Sequence, residues 1–339
     1  MLVDLRSDTF TQPTPGMLDA MRFARTGDDV FGEDPSVNEL EAMAASMFGM
    51  ESALYCTSGT QSNQIGIKVH TQPADEVICE KTSHVYLYEG AGIAYNAGCQ
   101  VKLLDGVYGK INASQVAEAV NPDDIHKPVS RLVSLENTAN RGGGSCYALE
   151  DIAAIKEVCQ KNGMALHLDG ARLFNAMVAK GQDAKQFGEL FDSISICLNK
   201  GLGCPMGSIL IGKSDYIRKA RRVRKVMGGG LRQAGYMAAT GIYALTHHID
   251  RLKIDHDHAA AVAAAAKEAV FCAQLYPVET NIVILEVGAP FSAPQIVSIL
   301  EEKGIRTIAM SQKLLRFVFH LDISAAMVDQ TIQAIRSIK

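Results

Sequence analysis

From Glu51 to about Ile211, short apolar runs alternate with stretches of helical periodicity. Ala53–Thr57 reads as a strand and leads into a helical run from Thr60 to His70. Glu76–Cys79, Val101–Leu104, Arg131–Glu136, Ala165–Asp169, Ser193–Leu198 and Ser208–Ile211 are further strand candidates, and Glu150–Asn162 is an amphipathic helix. Apolar runs of strand length separated by helices predict a mostly parallel sheet covered by helices, an α/β fold. Such sheets bind ligands beyond the carboxyl ends of their strands. Beyond Tyr243 the pattern changes. It predicts one long helix from Ile242 to about Ala273, strands at Ile282–Glu286 and Leu315–Phe319, and helices at Ala293–Lys303 and Ala325–Ile338. The expected division is a large domain with an amino-terminal arm over residues 1–250 and a smaller α+β domain over residues 251–339, in keeping with roughly 150 residues per domain.

Several polar motifs fall where an apolar run stops. Lys200 follows Ser193–Leu198 and is set among glycines, in Asn199-Lys200-Gly201-Leu202-Gly203. A lysine acts as a nucleophile only when its amine is partly deprotonated by shielding or by a nearby cation. Taken alone, Lys200 reads as a solvated turn lysine. Asp169 ends the run Ala165–Asp169 and reads either as a helix cap or as a carboxylate for a protonated pyridine nitrogen. The two together, about 30 residues apart and each at a strand end, point to pyridoxal phosphate more sharply than either alone. Thr57-Ser58-Gly59-Thr60 opens a helix, where free N–H groups, hydroxyls and the helix dipole favour a phosphate or simply make a good cap. His84, in Ser83-His84-Val85-Tyr86-Leu87-Tyr88-Glu89, could stack on a pyridine ring and carry protons, or be structural. The glycine signatures of nucleotide and dinucleotide sites are missing.

Longer motifs then carry a family resemblance. Asp4-Leu5-Arg6-Ser7-Asp8-Thr9, Gly27-Asp28-Asp29-Val30-Phe31-Gly32, Ser134-Leu135-Glu136-Asn137-Thr138, Leu168-Asp169-Gly170-Ala171-Arg172 and Gly228-Gly229-Gly230-Leu231-Arg232-Gln233 resemble the low-specificity L-threonine aldolases. These are pyridoxal-phosphate enzymes of the aspartate-aminotransferase (type I) fold. The likeness runs in order from residue 2 to about 250 and returns at Arg316–Asp322. It implies retro-aldol cleavage of L-threonine, L-allo-threonine and other β-hydroxy-α-amino acids to glycine and an aldehyde. Lys200 would hold the cofactor as a Schiff base, Asp169 would pair with the pyridine nitrogen, and His84 would stack on the ring. Ser58, Gly59 and Thr60 would hold the phosphate, with Lys225 and Arg232 reaching it from a neighbouring subunit. Arg172 would lie near the ring hydroxyl and the substrate carboxylate, with Ser7 and Arg316 completing the clamp. Phe31, where many relatives have a tyrosine, and Tyr88 are expected at the substrate. His84 and His126 are the candidate bases for the β-hydroxyl. Ala139 stands where many relatives have a histidine. The resemblance also implies a homotetramer, a dimer of dimers with shared active sites.

Composition narrows the picture further. Hydrophobic residues make up 47% and charged residues 21%, an ordinary globular balance. A formal net charge of −4 argues against a nucleic-acid or anionic-membrane partner. No segment approaches the ~18 uninterrupted apolar residues of a membrane span. Eight cysteines without a C-x-x-C pair predict free thiols, and with no signal-like leader the expected location is the cytoplasm. No metal site is expected. His256 and His258 are two apart on a helix, and His247 and His248 are adjacent, so neither pair shares a face.

Overall fold

The computed structural model describes residues 1–339. Its centre is a seven-stranded sheet of β2 (Ser52–Cys56), β3 (Glu76–Glu80), β4 (Gln100–Leu104), β5 (Ser130–Glu136), β6 (Ala165–Gly170), β7 (Ser193–Cys197) and β8 (Ser208–Gly212), after a short β1 (Val3–Asp4). The spatial order is β2-β8-β7-β6-β5-β3-β4. Neighbours from β4 to β7 are parallel, and β8 runs antiparallel to both β7 and β2. Every residue of β3, β7 and β8 is buried, so these strands have no solvent face and even Ser193 and Ser195 of β7 find partners inside the protein. Each fully buried Ile or Leu in such a layer contributes about 1.5–3 kcal/mol.

A second, antiparallel sheet contains β9 (Cys272–Leu275), β10 (Ile282–Val287), β12 (Ile308–Ala309) and β13 (Leu314–Val318). Helices Leu252–Lys267, Ala293–Glu302 and Ala325–Arg336 contribute buried faces to its core. One expectation needs correction here. The long helix predicted from Ile242 is two, Gly235–His247 and Leu252–Lys267, and Cys272 begins a strand. The break is held by His248, whose Nδ1 lies 2.7 Å from the Leu202 carbonyl, and by the pair Arg251–Asp255 that opens the next helix. Both helices bury an apolar face, so the periodicity runs on through the break. The amino-terminal arm packs in the smaller core. β1 pairs in parallel with β11 (Ile305–Arg306), and Val3 and Leu5 lie against Phe317, Phe319 and Ile305.

The topology brings the carboxyl ends of β5, β6 and β7 side by side, with Glu136 opposite Asp169 and Asp169 opposite Ser195. The helix Gly59–His70 starts close to the same rim. Its first residue has no room for a side chain, because a Cβ on Gly59 would lie 2.5 Å from Cys197 Sγ.

Candidate active site

A cavity of about 360 Å³ opens at this rim, between the large sheet and the smaller core. Its lining includes Ser7, His84, Tyr88, Glu136, Arg172, Lys200 and Arg316. Lys200 sits three residues past β7, in a loop closed by a 2.8 Å hydrogen bond from Gly203 N to the Lys200 carbonyl. Asp169 lies at the end of β6. Its Oδ1 accepts from Ala171 N at 3.1 Å, whereas its Oδ2 is buried with no partner. A buried carboxylate oxygen left bare is costly, and it marks a place where a donor from outside the chain belongs.

The arginines differ in a way the sequence does not reveal. Arg172 donates from Nε and Nη2 to the two oxygens of Asp8 at 2.6 and 2.7 Å, a buried bidentate pair. Burial opposes ionisation of Asp8, but the Arg172 charge and hydrogen bonds outweigh it and hold the carboxyl down at about 2. Arg316 has no carboxylate partner. It donates to Asn140 Oδ1 at 2.8 Å and to the Arg6 carbonyl at 3.1 Å, and its Nε is buried and unpaired. Burial and the nearby Arg172 charge pull the Arg316 guanidinium down to about 10. A desolvated cation without a counter-ion is a ready anchor for an anion, and Ser7 and Arg172 line the same wall.

Glu136 and His84 line the cavity, with Asp169 and Glu89 packed beside His84. Glu136 accepts from His84 N at 2.7 Å and from Asn140 N at 2.8 Å. Burial, then the Asp169 charge, push the Glu136 carboxyl up to about 7, so it titrates near neutrality. Burial opposes a charge on His84, yet the hydrogen bond to Glu89 and the Asp169 carboxylate outweigh it and raise the imidazole. One ring nitrogen of His84 and one oxygen each of Glu89 and Asp169 lie within 4.8 Å of one another.

At the start of the helix Gly59–His70, Ser58 caps by accepting from Gln61 N at 3.1 Å. The first N–H groups of a helix have no partner within it, and the Thr60 side chain is exposed beside them. This end therefore offers an anion both donors and the positive end of the dipole.

One chain brings together Lys200, Asp169, His84, Ser7, Arg172, Arg316 and Tyr88, but not every expected residue. The His126 side chain is 84% exposed, bonds Asp124 on its own loop, and lines a separate surface hollow. Phe31 is 73% exposed and outside the cavity. Arg232 pairs with Asp28, and Lys225 lines a second basic hollow with Arg221, Arg222 and Arg224. Ala139 is buried away from the cavity, packed so that a Cβ on Gly109 would lie 2.7 Å from its own. A histidine there would need a different loop. Of the histidines set aside as metal ligands, His256 bonds Asn175 Oδ1 at 3.0 Å. Asp8, Glu136 and Glu89 went unassigned from sequence. All three lie within motifs, Asp8 in Asp4–Thr9, Glu136 in Ser134–Thr138 and Glu89 in Ser83–Glu89, and that is the only sequence signal they carry.

The model of a family described as beta-eliminating lyase matches residues 4–290. The chain belongs to the beta-eliminating lyase family. The low specificity L-threonine aldolase of Escherichia coli K12 is 41% identical to the lyase over 325 residues, 95% of each chain. The low-specificity L-threonine aldolase 1 of Arabidopsis thaliana is 36% identical, covering 97% of this chain and 94% of its own. The solved threonine aldolase of Leishmania major superposes with a TM-score of 0.85 over 98% of each chain at 19% identity. Serine palmitoyltransferase of Sphingomonas wittichii does so at 0.75 and 15% identity, over 99% of this chain and 86% of its own. These likenesses establish the α/β fold with its smaller second sheet.

Proposed function

We propose that the lyase is a low-specificity L-threonine aldolase, cleaving L-threonine, L-allo-threonine and related β-hydroxy-α-amino acids to glycine and an aldehyde. The observation that carries this reading is a cavity lined by a strand-end lysine and an arginine without a counter-ion, beside a buried carboxylate oxygen without a partner. Its relatives at 36–41% identity over nearly the whole chain bear the same activity in their names.

The residues fit pyridoxal phosphate. Lys200 would bind it covalently, the bare Asp169 Oδ2 would accept a hydrogen bond from the pyridinium N–H and keep it protonated, and Ser58, Gly59 and Thr60 would hold the phosphate. When bound, the cofactor supplies an electron sink for the pair left on Cα as the Cα–Cβ bond breaks. The chain does the rest. Arg316 and Ser7 grip the substrate carboxylate, while Arg172, neutralised by Asp8, stiffens that wall. This grip decides which Cα bond stands ready to break, and so separates aldol cleavage from transamination and racemisation. His84 makes no hydrogen bond through Nε2 and takes the β-hydroxyl proton there. Glu136, titrating near neutrality, buffers the proton beside it.

Lys225, Arg232, Phe31 and His126 point away from this cavity and serve the site of a neighbouring subunit, within a cytoplasmic homotetramer. Product analysis with threonine, allo-threonine and phenylserine tests the reading. Glycine with the matching aldehyde is expected from each, and an α-keto acid with ammonia would mark an eliminating enzyme instead.

A further inference from the structure

Behind His84 lies a chain of buried polar groups that the reaction does not call on directly. His84 Nδ1 is 2.9 Å from Glu89 Oε1, and the Glu89 side chain is wholly buried. Two consecutive residues of the helix Gly59–His70 also donate to this carboxylate, Asn63 Nδ2 to Oε1 at 2.9 Å and Gln64 Nε2 to Oε2 at 2.6 Å. Gly92 makes room for the second, since a Cβ there would lie 2.4 Å from the Gln64 carboxamide. Asn63 Oδ1 faces His167 Nε2 at 3.3 Å, His167 Nδ1 faces Ser193 Oγ at 2.8 Å, and the same Oγ lies 2.8 Å from His70 Nε2.

These contacts fix every hydrogen. A carboxylate only accepts, so the Asn63 amide must turn its NH₂ to Glu89 and its oxygen to His167. His167 therefore carries its proton on Nε2. Burial holds His167 down at about 3, so it is neutral and Nδ1 accepts from the Ser193 hydroxyl. Ser193 then accepts from His70 Nε2–H. The polarity runs one way, from His70 to Glu89, and leaves Glu89 able only to accept. His84 must answer with Nδ1–H. Its Nε2 is then the nitrogen without a partner, on a ring that lines the cavity. Glu89, Asp169, Glu136 and Lys200 are the charged groups around that ring.

We infer that Glu89 is the positioning residue of this site: it fixes His84 as the Nδ1–H tautomer with Nε2 free to accept, and through Asn63 and Gln64 it ties that ring to the helix whose amino end faces the phosphate. The tautomer follows from the Glu89 carboxylate facing Nδ1, since a carboxylate only accepts. Its catalytic consequence rests on the aldolase reading.

The experiment is long-range ¹H–¹⁵N spectroscopy of the full-length, cofactor-loaded protein labelled at histidine, with His84 assigned by its loss in His84→Asn. The wild type is expected to carry the His84 proton on Nδ1. In Glu89→Gln the imidazole titration and the acid limb of kcat/KM are both expected to move down by about one pH unit, because a neighbouring opposite charge is lost. kcat is expected to fall more than KM changes, and Glu89→Asp should recover the pH profile in part. A wild-type His84 protonated on Nε2 with a bare Nδ1 overturns the inference even if Glu89→Gln does not fold. So does a Glu89→Gln protein whose His84 titration and pH profile match the wild type. Nδ1–H in a protein that yields no glycine from threonine upholds the positioning of His84 and removes the aldolase reading instead.

Discussion

The cavity at the strand ends and the hollow beside Lys225 have similar volumes, about 360 and 310 Å³, and both are lined by arginine and lysine. Their charges are handled differently. In the hollow, Arg224 is answered by Asp29 and the Tyr55 carbonyl, and Arg221 by Glu41. What remains is Arg222 and Lys225 beside a glycine turn, with no bare buried acceptor among the lining residues. In the cavity, Arg172 is neutralised by Asp8 while Arg316 is left without a counter-ion, opposite the bare Asp169 oxygen and the raised Glu136. A basic lining is therefore a poor guide to chemistry. Unmatched groups of both signs facing one space are the better one.

The contrast can be broken in order of expected effect. Asp8→Asn leaves Arg172 buried beside an uncharged partner and should destabilise the fold by about 3–5 kcal/mol in urea unfolding. A loss under 1 kcal/mol would mean that Arg172 is not matched in advance. Arg316→Leu should lower kcat/KM for threonine by about 100-fold, mainly through KM, with only part restored by Arg316→Lys because lysine lacks the planar fork. Lys225→Ala should weaken pyridoxal-phosphate affinity by about tenfold, the scale of one charge-assisted hydrogen bond, and leave the threonine KM alone. An unchanged cofactor affinity would make the second hollow a solvated surface.

The gentlest test leaves both hollows intact and probes the layer behind the site. Burial holds His70 at about 4 and His167 at about 3, below the ordinary 6.5. Between those values the unfolded chain binds more protons than the folded one, so stability falls as pH drops below about 6.5. Each histidine contributes a slope of up to about 1.4 kcal/mol per pH unit. His167→Gln should flatten the slope by one such share, measured as urea midpoints from pH 7 to 5.

Much of the fold was legible because interior parallel strands are buried on both faces and so appear as short runs dominated by apolar residues. β5, with Leu132, Val133 and Leu135, is the clearest case, whereas β7 interrupts its isoleucines with the buried Ser193 and Ser195. The break at His248 was hidden because the helices on either side keep an apolar face, and β1 was hidden because a two-residue strand finds its partner some 300 residues away. In the site, Lys200 and Asp169 were legible from their places after strands. Asp8, Glu136 and Glu89 were not, since an acid in a motif does not disclose whether it will be buried, or against which cation. Only packing decides that, as it decides that Ala139 faces Gly109 and not the cavity.

The central claim is that Lys200 in this cavity carries the cleavage of a β-hydroxy-α-amino acid. The direct measurement is glycine and acetaldehyde release from L-threonine and L-allo-threonine by the wild type and by Lys200→Ala. Equal amounts of the two products from the wild type, with a loss of several orders of magnitude in the variant, are predicted. Wild-type turnover by Lys200→Ala, or no glycine from the unaltered protein, would contradict it.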